Sequence, residues 1–238
     1  KAPIQLSHNR KKCHILQEGE FFLHELGLTS KSGAVLAHAQ HKFRQINRFL
    51  EMVKDIEYLP TRIADLGCGK AYLTFALYHY YKHIIGHNVE VIGVDLKDDV
   101  LTQCNTIAEK LGYNGLSFQK GTIQNFMPEK APDMVVALHA CNTASDPAID
   151  QAIAWKAKAI FIAPCCQHEL YQKMKREEFP ERIKYPLLQE RYAALETDAR
   201  RGEKLEKAGY KVQMLEFIDP EHTHKNLLIR AISQLARQ

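Results

Sequence analysis

Two glycines and two acids raise the first chemical question in this chain. In Asp65-Leu66-Gly67-Cys68-Gly69-Lys70 the glycines allow a tight reversal and let a ligand lie against bare backbone. Asp65, two residues ahead of Gly67, offers a carboxylate on which a cationic group can rest. A second acid, Asp95, closes the run Val89 to Asp95, 26 residues beyond Gly69. Doubly wound folds place a carboxylate on ribose hydroxyls at about this interval. A dinucleotide fingerprint would need glycine at 67, 69 and 72, and position 72 is Tyr.

Two further clusters carry bases and thiols: His139-Ala140-Cys141-Asn142-Thr143-Ala144-Ser145-Asp146, and Pro164-Cys165-Cys166-Gln167-His168-Glu169. His139 and His168 are the natural proton acceptors, because an unperturbed imidazole titrates near neutrality. The thiols of Cys141, Cys165 and Cys166 could converge with His168 on zinc. Adjacent cysteines are poor spacing for a structural zinc site, so the expectation is no metal and thiols that pack the strand ends.

The elements that must position these groups are legible as periodicity. Ile63 and Ala64 end a short strand before the glycine turn, and Leu73, Leu77 and Tyr80 or Tyr81 recur at helical spacing after it. Upstream, Phe43, Ile46, Leu50 and Val53 give one face of a helix over 37–56, with Lys42, Gln45 and Arg48 expected off that face. Downstream come a helix over 98–111 and strands over 115–119, 133–138 and 159–163. A helix over 146–155 is capped by Ser145 or Asp146. A charged insertion spans 170–186, a long helix 188–208, and a closing hairpin pairs 211–218 with 226–232. Both chemical clusters thus follow apolar strands, at what would be the ligand edge of a parallel sheet.

Composition sets the bounds. The 238 residues, 45 % of them hydrophobic, suffice for one substantial core. No apolar run approaches the roughly 20 residues that span a bilayer, and no signal peptide is visible, so no membrane association is expected. The six cysteines include no CxxC pair, which suits a reducing compartment and a cytoplasmic location. The chain starts Lys1-Ala2-Pro3 without methionine and is expected to be a fragment whose preceding region was removed. Its net charge is +4, yet residues 1–48 hold eight Lys or Arg against three acids, so the basic excess lies in this N-terminal part. That clustering suits a polyanion such as RNA, with Arg10, Lys11 and Lys12 as the substrate-side cations.

The D-x-G-x-G pattern at 65–69, together with Asp95, resembles motif I and the ribose acid of class I S-adenosylmethionine-dependent methyltransferases, with Ala71 where that motif usually has its third glycine. HACNTASD and PCCQHE more particularly resemble the paired motifs of the methyltransferase-like 25 family. More distantly they resemble those of tRNA acceptor-stem 2′-O-methyltransferases, from which Asn142 and the Gln167-His168 pair depart. The resemblance implies an α/β, doubly wound Rossmann-like class I methyltransferase fold, a seven-stranded mixed sheet in the order 3-2-1-4-5-7-6. It divides the chain into a basic N-terminal helical cap, 1–40, and a methyltransferase domain, 41–238.

It further implies S-adenosyl-L-methionine as cofactor, held by Asp65, Gly67, Gly69 and Lys70 at the turn, by Asp95 and Leu96 at the ribose, by Thr122 and Ile123 at the adenine, and by His139. Lys42 or Gln45 would reach the cofactor carboxylate. Catalysis would fall to His139, Cys141, Asn142, Cys165, Cys166 and His168. Cys165 also resembles the nucleophile of cytosine-5 RNA methyltransferases, a role that would require a thiolate. The implied activity is methylation of RNA, tRNA or rRNA. A protein or small-molecule substrate, or an inactive binding module on the same fold, stand as alternatives.

Overall fold

In the computed structural model, residues 14–138, 144–164, 168–216 and 227–234 are described, residues 168 and 169 by their backbone alone. Within them the chain forms β1 (Arg62–Leu66), β2 (Glu90–Asp95), β3 (Leu116–Lys120), β4 (Met134–Ala137), β5 (Ala159–Ile162), β6 (Tyr210–Glu216) and β7 (Leu227–Ser233). They make one seven-stranded sheet in the order β3-β2-β1-β4-β5-β7-β6. The pairs from β3 through β5 are parallel, and β7 runs antiparallel to both β5 and β6. The expected strand order and the inverted last strand are both present.

Alternation along the parallel strands sorts their side chains into two core layers, as a sheet covered on both faces requires. Ile63, Val91, Met134, Val136 and Phe161 enter one layer, and Ala64, Val94, Val135, Ala137 and Ile160 enter the other. Helices α2 (Gln40–Lys54), α3 (Tyr72–His79) and α4 (Asp98–Lys110) cover the first face. Phe43, Ile46, Phe49, Leu50 and Val53 of α2 are buried there, each burial stabilising by about 1.5–3 kcal/mol. The Phe49 ring stands edge-on to Phe161 at 5.6 Å. Helices α5 (Ser145–Ala154) and α7 (Pro186–Lys207) supply the second layer through Ala148, Ile149, Ala152 and Leu205.

Two local expectations are corrected. Gln45 is 7 % exposed rather than off the apolar face of α2. Asp146 does not cap α5, whose N-cap is Ala144. Its carboxylate instead receives Arg201 of α7 through Nε at 2.8 Å and Nη2 at 3.0 Å, while Arg201 Nη1 donates to Asp198 at 2.9 Å. Arg201 is buried, so these acids are what make its charge tolerable. Over residues 14–36, within the described part of the N-terminal segment, the helix is the five-residue α1 (Phe21–Glu25). Leu16, Phe22, Leu23 and Leu28 nevertheless lie in the same core layer as the sheet. Leu16 N donates to Asn47 Oδ1 at 2.8 Å, and Glu20 meets His79 at 3.1 Å.

The β3–β4 connection, 121–133, contains no helix. The sheet face it would have covered holds exposed Ser117 and Gln119 and a cleft of about 470 Å³. Among the described residues no helix is long and apolar enough to cross a membrane.

Candidate functional site

At the carboxyl end of β1 the backbone takes left-handed conformations at Gly67 (φ 77°), Gly69 (φ 53°) and Ala71 (φ 57°). The turn is braced against β2: Gly67 N and Cys68 N both donate to Val94 O, at 2.7 and 3.1 Å, and Gly69 N donates to Asp95 Oδ2 at 2.8 Å. A Cβ built on Gly69 would meet nothing within 4 Å, so the space over the turn is open. Ala71 marks the place of the third glycine. An L-residue there costs about 1–2 kcal/mol, set against burial of its methyl group in the core.

Asp65 is 4 % exposed, and Thr74, fully buried on α3, donates its hydroxyl to Asp65 Oδ2 at 2.6 Å. Burial pushes the Asp65 carboxyl up to about 7, Asp95 repels it further, and the Thr74 hydrogen bond pulls the other way. A carboxylate so placed calls for a cation. Burial also pushes the Cys68 thiol well above its ordinary range, so it is no nucleophile.

Asp95 is half-buried at the end of β2 and is committed differently. Besides Gly69 N, its Oδ1 accepts Leu96 N at 2.8 Å and Lys97 N at 3.2 Å. The carboxylate locks the glycine turn to β2 while retaining lone pairs for hydroxyl donors. Its carbonyl accepts Gly121 N at 3.0 Å, which brings the third corner alongside. There Thr122 Oγ1 accepts Asn125 N at 3.2 Å, and Ile123, 8 % exposed, belongs mainly to the core. Leu96, 63 % exposed, stands out at the mouth; Lys70 is exposed on the turn.

Lys42 reaches from α2 to the start of α3. Its Nζ donates to Gln45 Oε1 at 2.8 Å and lies 5.7 Å from the centre of the Tyr72 ring. Burial lowers its affinity for the proton, as expected of a cation drawn from water without a full counter-charge. Neither the buried Gln45 nor the Tyr72 platform was readable from periodicity. Thr74 was also missed, since one hydroxyl within an apolar helix gives no signal of its partner.

The structure therefore gathers Asp65, the glycine turn, Asp95 and the 121–123 corner at the carboxyl ends of β1, β2 and β3. His139, Cys141, Asn142, Cys165, Cys166, Arg10, Lys11 and Lys12 lie outside the described residues, and His168 opens helix α6 (His168–Lys173) with its backbone alone described. The described ends of the flanking strands are neighbours: Ala137 pairs with Ile162, and Ala163 N donates to Ala137 O at 3.0 Å. Both motif segments are thus entered from one edge of the sheet. Among the described residues no group of His, Cys, Asp and Glu could hold a metal ion.

A family model described as "Methyltransferase domain" matches residues 41–173. The glutathione S-transferase C-terminal domain-containing protein of Xenopus laevis is 28 % identical over 148 residues, covering 62 % of this chain and 22 % of that protein. Its Bos taurus counterpart is 27 % identical over 143 residues, covering 60 % and 21 %. The chain spans about a fifth of the length of these curated relatives. Among solved structures, magnesium protoporphyrin IX methyltransferase from Synechocystis PCC 6803 superposes with a TM-score of 0.53 at 11 % identity, covering 91 % of this chain and 93 % of that one. A dimethyladenosine transferase from Plasmodium falciparum gives 0.53 at 15 % identity, covering 80 % and 62 %. At these identities the likeness is one of fold.

Proposed function

The chain belongs to the methyltransferase domain family, enzymes that use S-adenosylmethionine, and on that premise we propose that it methylates RNA, with tRNA or rRNA as the substrate class. The observation that carries the cofactor assignment is Asp65: a buried carboxyl held near neutrality, partnered by one hydroxyl, at the end of the central strand beside an open glycine turn. Such a group is costly unless a ligand cation arrives to share it.

The residues present fit S-adenosylmethionine. Asp65 would hold its ammonium, Lys42 steadied by Gln45 its carboxylate, Asp95 its ribose hydroxyls with Leu96 beside them, and Thr122 and Ile123 its adenine. When bound, the cofactor supplies a methyl group on a sulfonium, open to attack by an aligned nucleophile. The chain's task is then to align that nucleophile about 3–3.5 Å away and to take any proton it carries. His168 is the favoured base and His139 the second, with Asn142 and the thiols of Cys141, Cys165 and Cys166 shaping the acceptor side.

The RNA assignment rests on Arg10, Lys11 and Lys12 within a basic N-terminal part, and on the resemblance of HACNTASD and PCCQHE to the methyltransferase-like 25 and tRNA 2′-O-methyltransferase motifs. Thiols without CxxC pairing favour the cytoplasm as its location. The test is transfer of radiolabelled methyl into RNA, protein and small-molecule fractions of cells lacking the gene. Label in RNA supports the reading, and label confined to protein or small molecules overturns the substrate. No label together with no S-adenosylhomocysteine binding would leave an inactive binding module.

A further inference from the structure

We propose that Thr74 is a positioning residue for the cofactor's amine, its hydroxyl fixing one oxygen of Asp65 and keeping the carboxylate ionised so that its remaining lone pairs can receive an ammonium. The inference rests on the cofactor assignment above and extends it to a residue on a different element. Thr74 lies nine residues beyond Asp65, in the first turn of α3 and on its buried side, with no exposed surface. A hydroxyl there has no water to bond, so its proton goes to the acceptor within reach, Asp65 Oδ2 at 2.6 Å. That distance is typical of a hydroxyl donating to a charged oxygen, the stronger class of hydrogen bond.

The remaining surroundings work against ionisation. Burial is the largest influence, and Asp95 at the end of the neighbouring strand adds repulsion. Cys68, in the turn between them, is a neutral thiol kept protonated first by burial and then by Asp65. Thr74 is the group on the lowering side of this balance. Without it the carboxyl would hold its proton to higher pH, and a protonated carboxyl cannot pair with an ammonium.

Two measurements on the whole chain test this. First, the Asp65 carboxyl is titrated by carbon-13 NMR in the ligand-free protein. Thr74→Val, nearly isosteric, should move its midpoint upward by about one pH unit, a tenfold change in proton affinity, and Thr74→Ser should restore it. Second, S-adenosylhomocysteine affinity is measured by calorimetry from pH 6 to 9. Thr74→Val should bind about five- to tenfold more weakly than wild type at pH 7 and within about twofold of it at pH 9, where both carboxyls are ionised.

An unmoved midpoint, or a loss of affinity equal at every pH, would overturn the proposal and reduce Thr74 to a packing residue. If Thr74→Val fails to fold, Thr74→Ser and Thr74→Ala carry the same comparison, with Ser matching wild type and Ala showing the shift. Absence of S-adenosylhomocysteine binding by the wild type would instead sink the cofactor reading, with the NMR midpoint still deciding the role of Thr74.

Discussion

Asp65 and Asp95 are the same side chain at the ends of two paired parallel strands, yet the structure uses them in opposite ways. Asp65 is buried, carries one hydroxyl donor and is pushed toward neutrality. Asp95 is half-exposed and accepts three backbone N–H groups, one of them from the glycine turn. The first is a poorly compensated charge whose cost a ligand can relieve, and the second is a fastener whose partners are already in place. A D-x-G-x-G turn followed by a distant acid therefore contains one acid that folding would do better without and one that folding uses.

The largest expected effect lies away from the pair and shows what the two acids do not do. His168→Ala should slow methyl transfer by about 10² to 10⁴, the range of a lost general base, while calorimetry finds S-adenosylmethionine affinity unchanged. A comparable fall in cofactor affinity would place His168 in the binding site.

Asp65→Asn should weaken S-adenosylhomocysteine binding by about a hundredfold, the scale of a buried charge-assisted bond, and should raise the melting temperature of the ligand-free protein at pH 8. The sign follows from linkage. The folded carboxyl titrates near 7 and the unfolded one near 3.8, so below 3.8 both are protonated and nothing is lost. As pH rises through this window the unfolded chain releases its proton first, and stability falls by up to a few kcal/mol. The amide has no proton to lose. Melting curves that match wild type at pH 4 and separate by pH 8 would confirm this; a destabilised variant at pH 8 would contradict it.

Asp95→Ala should weaken S-adenosylhomocysteine binding by only about tenfold, but should lower stability by about 2 kcal/mol, or about 4–8 °C, because three N–H groups lose their acceptor. Opposite shifts in melting temperature for the two substitutions would sharpen the comparison, and shifts of the same sign would break it. The smallest effect concerns the other ligand. Replacing Arg10, Lys11 and Lys12 together by Ala should weaken RNA binding a few-fold at low salt and flatten its salt dependence, with S-adenosylmethionine affinity untouched. An unaltered salt slope would make this stretch a solvated face.

Much of the fold was legible in the sequence because its signals are local. Alternation and continuous apolar runs located the seven strands, helical spacing of apolar residues located α2 and α3, and the Gly67 and Gly69 punctuation located the turn, each within a few residues of the observed ends. Those patterns are written within about ten residues of chain, and the strand order followed from the resemblance that the D-x-G-x-G turn and Asp95 carried. What the sequence by itself determined was therefore the elements, the turn and the two acids at the ends of β1 and β2.

Tertiary structure alone decided what each polar group would meet. Gln45 is buried and steadies Lys42 above Tyr72; Asp146 binds Arg201, 55 residues away, instead of capping its helix; Asp95 takes a backbone N–H from 26 residues upstream; and Thr74 becomes the partner of Asp65. The physical reason is that a hydrogen bond or a shifted pKa depends on distance and on exclusion of water. Both are set by how strands and helices pack, and neither is encoded in the identity of a residue or of its neighbours in sequence.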